Sequence, residues 1–202
     1  MSIISETHRD DLTAKTGMWF FLFTEMLLFG GLFIVYSVYR FRNPLAFHLA
    51  AQDLNVVIGT INTIILLISS TTIAMSITAI QKENKKLALL LTGITLLLGL
   101  AFLVNKYFEW GEHIRGHIYP GSSILAARGQ GDVLFFGLYF FMTGLHALHI
   151  IAGLILISVV TVKIIRNEIR SDKFVFIENS GLYWHLVDII WIFLFPLFYL
   201  IT

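Results

Sequence analysis

The sequence predicts an all-α membrane protein, a single bundle of five transmembrane helices, from the amount of charge, its placement and the length of the apolar runs. Of 202 residues, 57% are hydrophobic and only 13% are charged, whereas soluble domains carry roughly 25% charged residues. The charge is absent from five long stretches: Gly17–Tyr39, Val56–Ile80, Leu87–Tyr107, Val133–Val162 and Leu182–Ile201. Each meets the requirement of about 20 mostly apolar residues for crossing a hydrocarbon core about 30 Å thick. Lipid offers no hydrogen-bond partner to a stray backbone group, so such runs must be helices. The fourth is long enough to tilt or to project beyond the bilayer.

The segment before the first span, Met1–Thr16, is polar and mixed in charge (His8, Arg9, Asp10, Asp11, Lys15). It lacks the basic, apolar, small-residue order of a cleaved leader, so the first span is expected to be a retained anchor. The connections are mostly short, with no repeat and no low-complexity tract, and one membrane domain is expected over residues 1–202. The longest connection, Phe108–Asp132, is rich in glycine and contains Pro120-Gly121. It reads as an ordered cap over the bundle or a contact for a neighbour.

Lysine and arginine near the spans set the expected orientation. The N-terminal tail, the second connection and the fourth carry nine of them (Arg9, Lys15, Lys82, Lys85, Lys86, Lys163, Arg166, Arg170, Lys173). The other face carries five: Arg40, Arg42, Lys106, Arg115 and Arg128. Nine against five predicts a cytoplasmic N-terminus and an external C-terminus. With no cysteine, disulfides, thiolate-held zinc, iron–sulfur clusters and a thiolate-bridged copper centre are excluded for this chain. A net charge of +1 gives no case for nucleic acid.

Ionisable groups inside a span cost about 2.5–3.5 kcal/mol for Asp on an insertion scale, which makes them the informative positions. Glu25 lies eight residues past Gly17, about 12 Å along the helix at 1.5 Å per residue. His146 and His149 are three apart on the fourth span, and His185 and Asp188 three apart on the last, each pair sharing a helix face. Three readings remain open for this polar set. The groups lock the bundle by bonding across helices; they line a hydrated pocket for lipid headgroups or protons; or His146 or His149 ligates haem together with His185. For Glu25 the structural reading is a neutral carboxyl that donates one hydrogen bond. Asp188 is expected to be needed for assembly through a buried partner.

The remaining span features read as packing. Gly30, Gly31, Gly93, Gly99, Gly137, Gly144 and Gly153 would allow close helix approach, and Ser69, Ser70, Thr71 and Thr72 would bond across helices. Trp184 and Trp191 share a face, while Tyr183 and Tyr199 would serve as interfacial anchors at opposite ends of the last span.

Four segments, in order, resemble one family. Tyr183-Trp184-His185-Leu186-Val187-Asp188-Ile189-Ile190-Trp191 resembles the last-helix signature of haem-copper oxidase subunit III. Thr143-Gly144-Leu145-His146 with His149 and Gly153 resembles its histidine-bearing helix. Gly17-Met18-Trp19-Phe20 through Thr24-Glu25 to Phe29 resembles its glutamate segment, and Asn62-Thr63 with Leu66–Ser70 a further one. The larger members have seven helices, so the resemblance is to the short five-helix bacterial type, with its N-terminus inside.

The resemblance implies a non-catalytic subunit III of a haem-copper terminal oxidase (cytochrome c or quinol oxidase) in aerobic respiratory electron transport. Its place would be the bacterial cytoplasmic membrane. It implies no redox centre or metal in this chain, haem and copper in partner subunits, and bound phospholipid. Subunit I would be the main partner, with subunit II and a small subunit IV as further neighbours. The implied role is to support proton uptake and turnover stability, with Glu25 beside a lipid cleft and His146, His149, His185 and Asp188 as its companion polar set. No residue would be catalytic. Lys106 and Trp110 depart from the family pattern around Glu109, which puts an external-side role of Glu109 in doubt. The alternatives are a subunit III-like partner of a nitric oxide reductase, a membrane cytochrome b, told apart by visible absorbance, and a transporter, which the lack of an internal repeat argues against.

Overall fold

A computed structural model describes residues 2–171 and 174–200, with side chains from Leu12 onward. Lys173 and Ile201, which figure in the expected charge count and last span, lie outside the described residues. The chain forms seven helices among those residues: α1 (Ser2–Arg42), α2 (Pro44–Ala51), α3 (Val56–Gln81), α4 (Lys85–Arg115), α5 (Ser123–Arg128), α6 (Gln130–Ile165) and α7 (Val175–Tyr199). Five of them, α1, α3, α4, α6 and α7, are long and apolar enough to cross a membrane. This is a multi-pass, all-helical membrane protein.

The helix boundaries follow from short polar residues that compete for the free backbone groups at helix ends. Asn55 caps α3, its Oδ1 accepting from the amides of Val57 and Ile58 at 3.0 and 3.3 Å. Asn84 caps α4 through the Leu87 amide (3.1 Å), and Ser122 caps α5 through that of Ile124 (3.2 Å). Pro44 opens α2, where its missing N–H costs nothing. Two of the expected connections are partly helical. Phe108–Arg115 continues α4 without a break, and the stretch after Arg42 holds α2. Neither short helix is long enough to span, and α5 and α2 both pack on α6 at the end of the bundle opposite the α1 N-terminus.

In the bundle, α7 is the central element. It packs against α3 and α6, and less extensively against α1, while α3 and α4 pair along their length. Trp184 explains why α7 sits there. Its indole is fully buried, and Nε1 donates to Ser69 Oγ of α3 at 3.0 Å. A Cβ at Gly99 of α4 would meet the same indole at 2.8 Å, and a Cβ at Gly153 of α6 would meet it at 2.7 Å. One side chain therefore holds three neighbouring helices at fixed spacing. One heptad on, Trp191 donates to Thr63 Oγ1 of α3 (3.0 Å), so both tryptophans of α7 use α3 hydroxyls.

The structure sorts the expected packing residues. Gly99 and Gly153 are close-approach positions; at Gly30, Gly31, Gly93, Gly137 and Gly144 an added Cβ would meet nothing within 4 Å. Gly59 is a third close approach, against Phe195 and Tyr199. Ser69, Ser70 and Thr72 bond across helices, Thr72 to Thr95 at 2.7 Å, whereas Thr71 turns back to the Leu67 carbonyl. Tyr183 and Tyr199 are buried instead of anchoring at interfaces. Tyr183 donates to the His149 carbonyl (3.1 Å), and Tyr199 belongs to a polar cluster inside the bundle.

Helix α1 is the least buried of the five spans. Four polar contacts tie it down along its length, one of them from Asn179 Nδ2 of α7 to the Ala14 carbonyl at 3.3 Å. Lys15 pairs with Glu178 of α7 at 2.8 Å, Glu25 pairs with His149 of α6, and the Tyr36 hydroxyl donates to the Leu197 carbonyl. The last of these satisfies one of the free carbonyls at the C-terminal end of α7.

Gly153→Val should destabilise the bundle by about 1–3 kcal/mol, because overpacking forces Trp184 off its site. Gly137→Ala and Gly144→Ala should leave it unchanged. Thermal unfolding in detergent separates the two classes, and equal effects at all three positions would count against the Trp184 clamp.

Candidate functional site

Glu25 and His149 meet. Glu25 lies one helical turn before Phe29 on α1, and the Phe29 ring packs edge-on against the His149 imidazole at 5.3 Å between centroids. His149 Nδ1 lies 2.8 Å from the Leu145 carbonyl, and its Nε2 lies 2.9 Å from Glu25 Oε2. A carbonyl can only accept, so Nδ1 carries a proton and Nε2 is the nitrogen that faces the carboxyl. One further proton then lies between Nε2 and Oε2. Placed on oxygen, it gives a neutral acid and a neutral imidazole; placed on nitrogen, it gives a carboxylate and an imidazolium. In both arrangements the pair carries no net charge, which is the form that apolar surroundings tolerate best.

The pair is not sealed. The side chains of His149 and Glu25 keep 14% and 15% of their exposure, at the edge where α1 lies over α6 and α7. Tyr183 closes it from the α7 side, its ring stacked on Phe21 at 6.0 Å and its hydroxyl on the His149 carbonyl. The pair therefore sits partly exposed at the edge of the bundle, where the neighbouring surface is apolar.

The other expected residues do not join this pair. His146 is fully buried, tilted on Trp191 (5.2 Å) and edge-on to Phe102 (5.5 Å), with no hydrogen bond to either ring nitrogen among the described residues. His185 Nδ1 contacts Ser70 Oγ of α3 at 2.6 Å. Asp188 is buried beside the hydroxyl of Ser70, the group that His185 also contacts, and neither carboxylate oxygen makes a hydrogen bond of full geometry among the described residues. With both nitrogens of His149 engaged, the expected polar set divides into the Glu25–His149 pair, the enclosed His146, and His185 with Asp188 beside Ser70. No cluster of three or more metal-ligating side chains occurs among the described residues.

A second polar centre appears where the sequence reading saw only a departure from a pattern. Lys106 and Glu109, one turn apart on α4, are each 1% exposed and paired at 3.0 Å. The Lys106 ammonium also donates to the hydroxyls of Tyr139 of α6 (3.1 Å) and Tyr199 of α7 (2.9 Å), which uses all three of its protons. Both tyrosines donate in turn to Glu109 Oε1, Tyr139 at 2.9 Å. Trp110 and Trp191 add ring faces at 5.8 and 5.2 Å from the ammonium. Lys106 is thus an interior residue and not a flanking charge. The available signal was its spacing of three from Glu109, at the end of an apolar run.

Lys106→Met or Glu109→Leu alone leaves a buried charge unpaired and should cost about 3–5 kcal/mol, whereas the double substitution should recover most of the loss. Assembly yield and thermal unfolding of the three variants test this; a double variant as damaged as either single one would mean that the cluster does not act as a charge pair.

Comparison with known proteins bears on what this architecture belongs to. The sequence profile of the family described as cytochrome c oxidase subunit III matches residues 5–202. The "Heme-copper oxidase subunit I+III" of Aeropyrum pernix is 31% identical over 198 residues, which is 93% of this chain but 22% of that longer, fused protein. The "Probable quinol oxidase subunit 3" of Staphylococcus saprophyticus is 28% identical over 200 residues, covering 99% of this chain and 94% of the relative. The "Cytochrome c oxidase subunit 3" of Alkalihalophilus pseudofirmus is 30% identical over 187 residues, covering 91% and 84%. The chain belongs to the cytochrome c oxidase subunit III family.

Proposed function

We propose that this chain is the non-catalytic subunit III of a haem-copper terminal oxidase, and that the Glu25–His149 pair is its working site. The pair would face phospholipid, hold one exchangeable proton at the bundle edge, and so support proton uptake by the catalytic partner and its stability during turnover. The carrying observation is the 2.9 Å contact between His149 Nε2 and Glu25 Oε2, two ionisable groups that remain partly exposed. Haem and copper would reside in the partner, and no residue of this chain would be catalytic. Subunit I is the partner favoured, because a relative of this chain is named as a fusion of subunits I and III. Subunit II and a small subunit IV would complete the complex.

Placement in the bacterial cytoplasmic membrane with the N-terminus inside belongs to the same proposal. The burial of Lys106 supports that orientation. A lysine paired inside the bundle is not a flanking charge, so the bias becomes nine against four.

Gentle-detergent purification through this chain should bring down haem and copper with a large partner, and the separated chain should be colourless. Haem retained by the isolated chain would refute the reading. Glu25→Ala and His149→Phe should each leave the haem spectrum of the complex intact and shorten the number of turnovers before activity decays. The double variant should be no worse than either, since both break one pair. Unchanged turnover lifetime would leave the pair a packing contact.

A further inference from the structure

The turn between α3 and α4 and the segment that joins α6 to α7 lie at the end of the bundle where Lys15 of α1 meets Glu178 of α7. A cavity of about 440 Å³ opens between these two connections. Its size falls within the roughly 300–1,000 Å³ of small-ligand clefts. Ile80 and Ile169, both buried, supply its apolar wall. The rest of the lining is polar: Glu83 and Lys85 from the turn, and Asn167, Arg170 and Ser171 from the joining segment. Neither the Glu25–His149 pair nor the Lys106 cluster contributes to it.

Hydrogen bonds hold this lining in place. Glu83 and Asn167 each end a helix in the left-handed region, at φ 58° and 60°. The amides that follow them reach back into the last helical turn, Asn84 to the Ala79 carbonyl at 2.8 Å and Glu168 to the Lys163 carbonyl at 2.9 Å. The two connections are also tied to each other. Ser171 donates to Glu83 Oε1 at 2.9 Å, and the Lys85 ammonium donates to the Ile165 carbonyl and to Asn167 Oδ1 at 2.8 and 2.7 Å. Arg170 Nε donates to the Asn167 carbonyl at 2.9 Å.

The groups left over specify a ligand. Lys85 keeps one of its three protons, and the terminal nitrogens of Arg170 have no acceptor among the described residues. Neither cation belongs to an ion pair among those residues. Guanidinium and ammonium groups together suit a compact oxyanion. Glu83 Oε2, in the same cavity, can only accept. A ligand that satisfies all three must offer oxygens to the cations and an O–H to the carboxylate. We propose that this cavity binds inorganic phosphate in its hydrogenphosphate forms, with Arg170 and Lys85 on its oxygens and its P–OH donating to Glu83. Sulfate carries no proton at neutral pH and would set oxygen against the carboxylate. The phosphodiester of a phospholipid lacks the proton too, and a phosphomonoester loses its last one near pH 6. The site stands independently of the Glu25–His149 reading.

The test is equilibrium dialysis of the full chain in detergent against radiolabelled phosphate at neutral pH, with arsenate, sulfate or dioleoyl phosphatidylglycerol as competitor. Arsenate, which keeps the corresponding proton, should displace the label. Sulfate should compete about tenfold more weakly, the effect of one charge-assisted hydrogen bond. Arg170→Leu should weaken phosphate binding by about tenfold for the same reason. Glu83→Gln keeps an acceptor for Ser171 but turns an N–H toward the ligand, so sulfate should then compete as well as arsenate. A gain of that kind does not arise from misfolding. Glu25→Ala should bind phosphate unchanged, even if the functional reading of Glu25 fails. No retention of the label, equal competition by sulfate and arsenate in the wild-type chain, sulfate exclusion that survives Glu83→Gln, unchanged binding by Arg170→Leu, or displacement by phosphatidylglycerol would overturn the proposal.

Discussion

The indole of Trp184 sets the spacing from which the rest of the bundle is built. Its Nε1–H must find an acceptor inside the protein, because lipid provides none, and Ser69 supplies it. Its ring then leaves no room for a side chain at Gly99 or Gly153. Once α3, α4 and α6 are fixed around α7 in this way, the deeper polar groups have determined neighbours. Lys106, Tyr139 and Tyr199 come from three different helices and meet only because those helices are already in register.

Helix α1 stands apart from this arrangement. It packs on α6 and α7 but is the least buried span, and much of its surface is exposed apolar side chain, including Trp19, Phe20, Phe23 and Met26. Its position depends on a few polar contacts spread along its length: Lys15 to Glu178, Glu25 to His149 and Tyr36 to Leu197. Polar contacts of this kind are directional. They fix the rotation of a helix about its axis, which apolar contact with lipid would leave undetermined. The placing of Glu25 against His149 is thus a consequence of how α1 is held as well as a feature of the site.

What the sequence made legible was whatever depends on composition along the chain. The five spans follow from the absence of charge, and Glu25 and His149 stood out because ionisable groups in apolar runs are costly. What depends on which way a residue faces was not legible. Lys106 ends an apolar run, where a flanking charge is ordinary, and nothing in its neighbours along the chain says that Tyr139 and Tyr199 surround it. Tyr183 and Tyr199 sit near span ends, as interfacial aromatics do, yet both point inward. Among seven candidate glycines only Gly99 and Gly153 face a neighbouring helix closely, because helix rotation and not glycine content decides the contact. The extension of α4 to Arg115 was hidden by Gly111, which a helix tolerates at a modest cost.

The two acid–base pairs solve one electrostatic problem differently, one enclosed and one partly exposed. Lys106 and Glu109 are enclosed at 1% exposure, and every polar hydrogen of the ammonium has an acceptor. A network closed in this way has no free position through which a proton could enter or leave, so it holds helices together. Glu25 and His149 have a single contact between them and an open edge. Placed on either atom, the proton that this contact requires leaves the pair without net charge, and both side chains stay partly exposed. Satisfaction of hydrogen bonds therefore separates an enclosed pair, tied to two further helices, from a partly exposed one, although both cancel their charge in apolar surroundings.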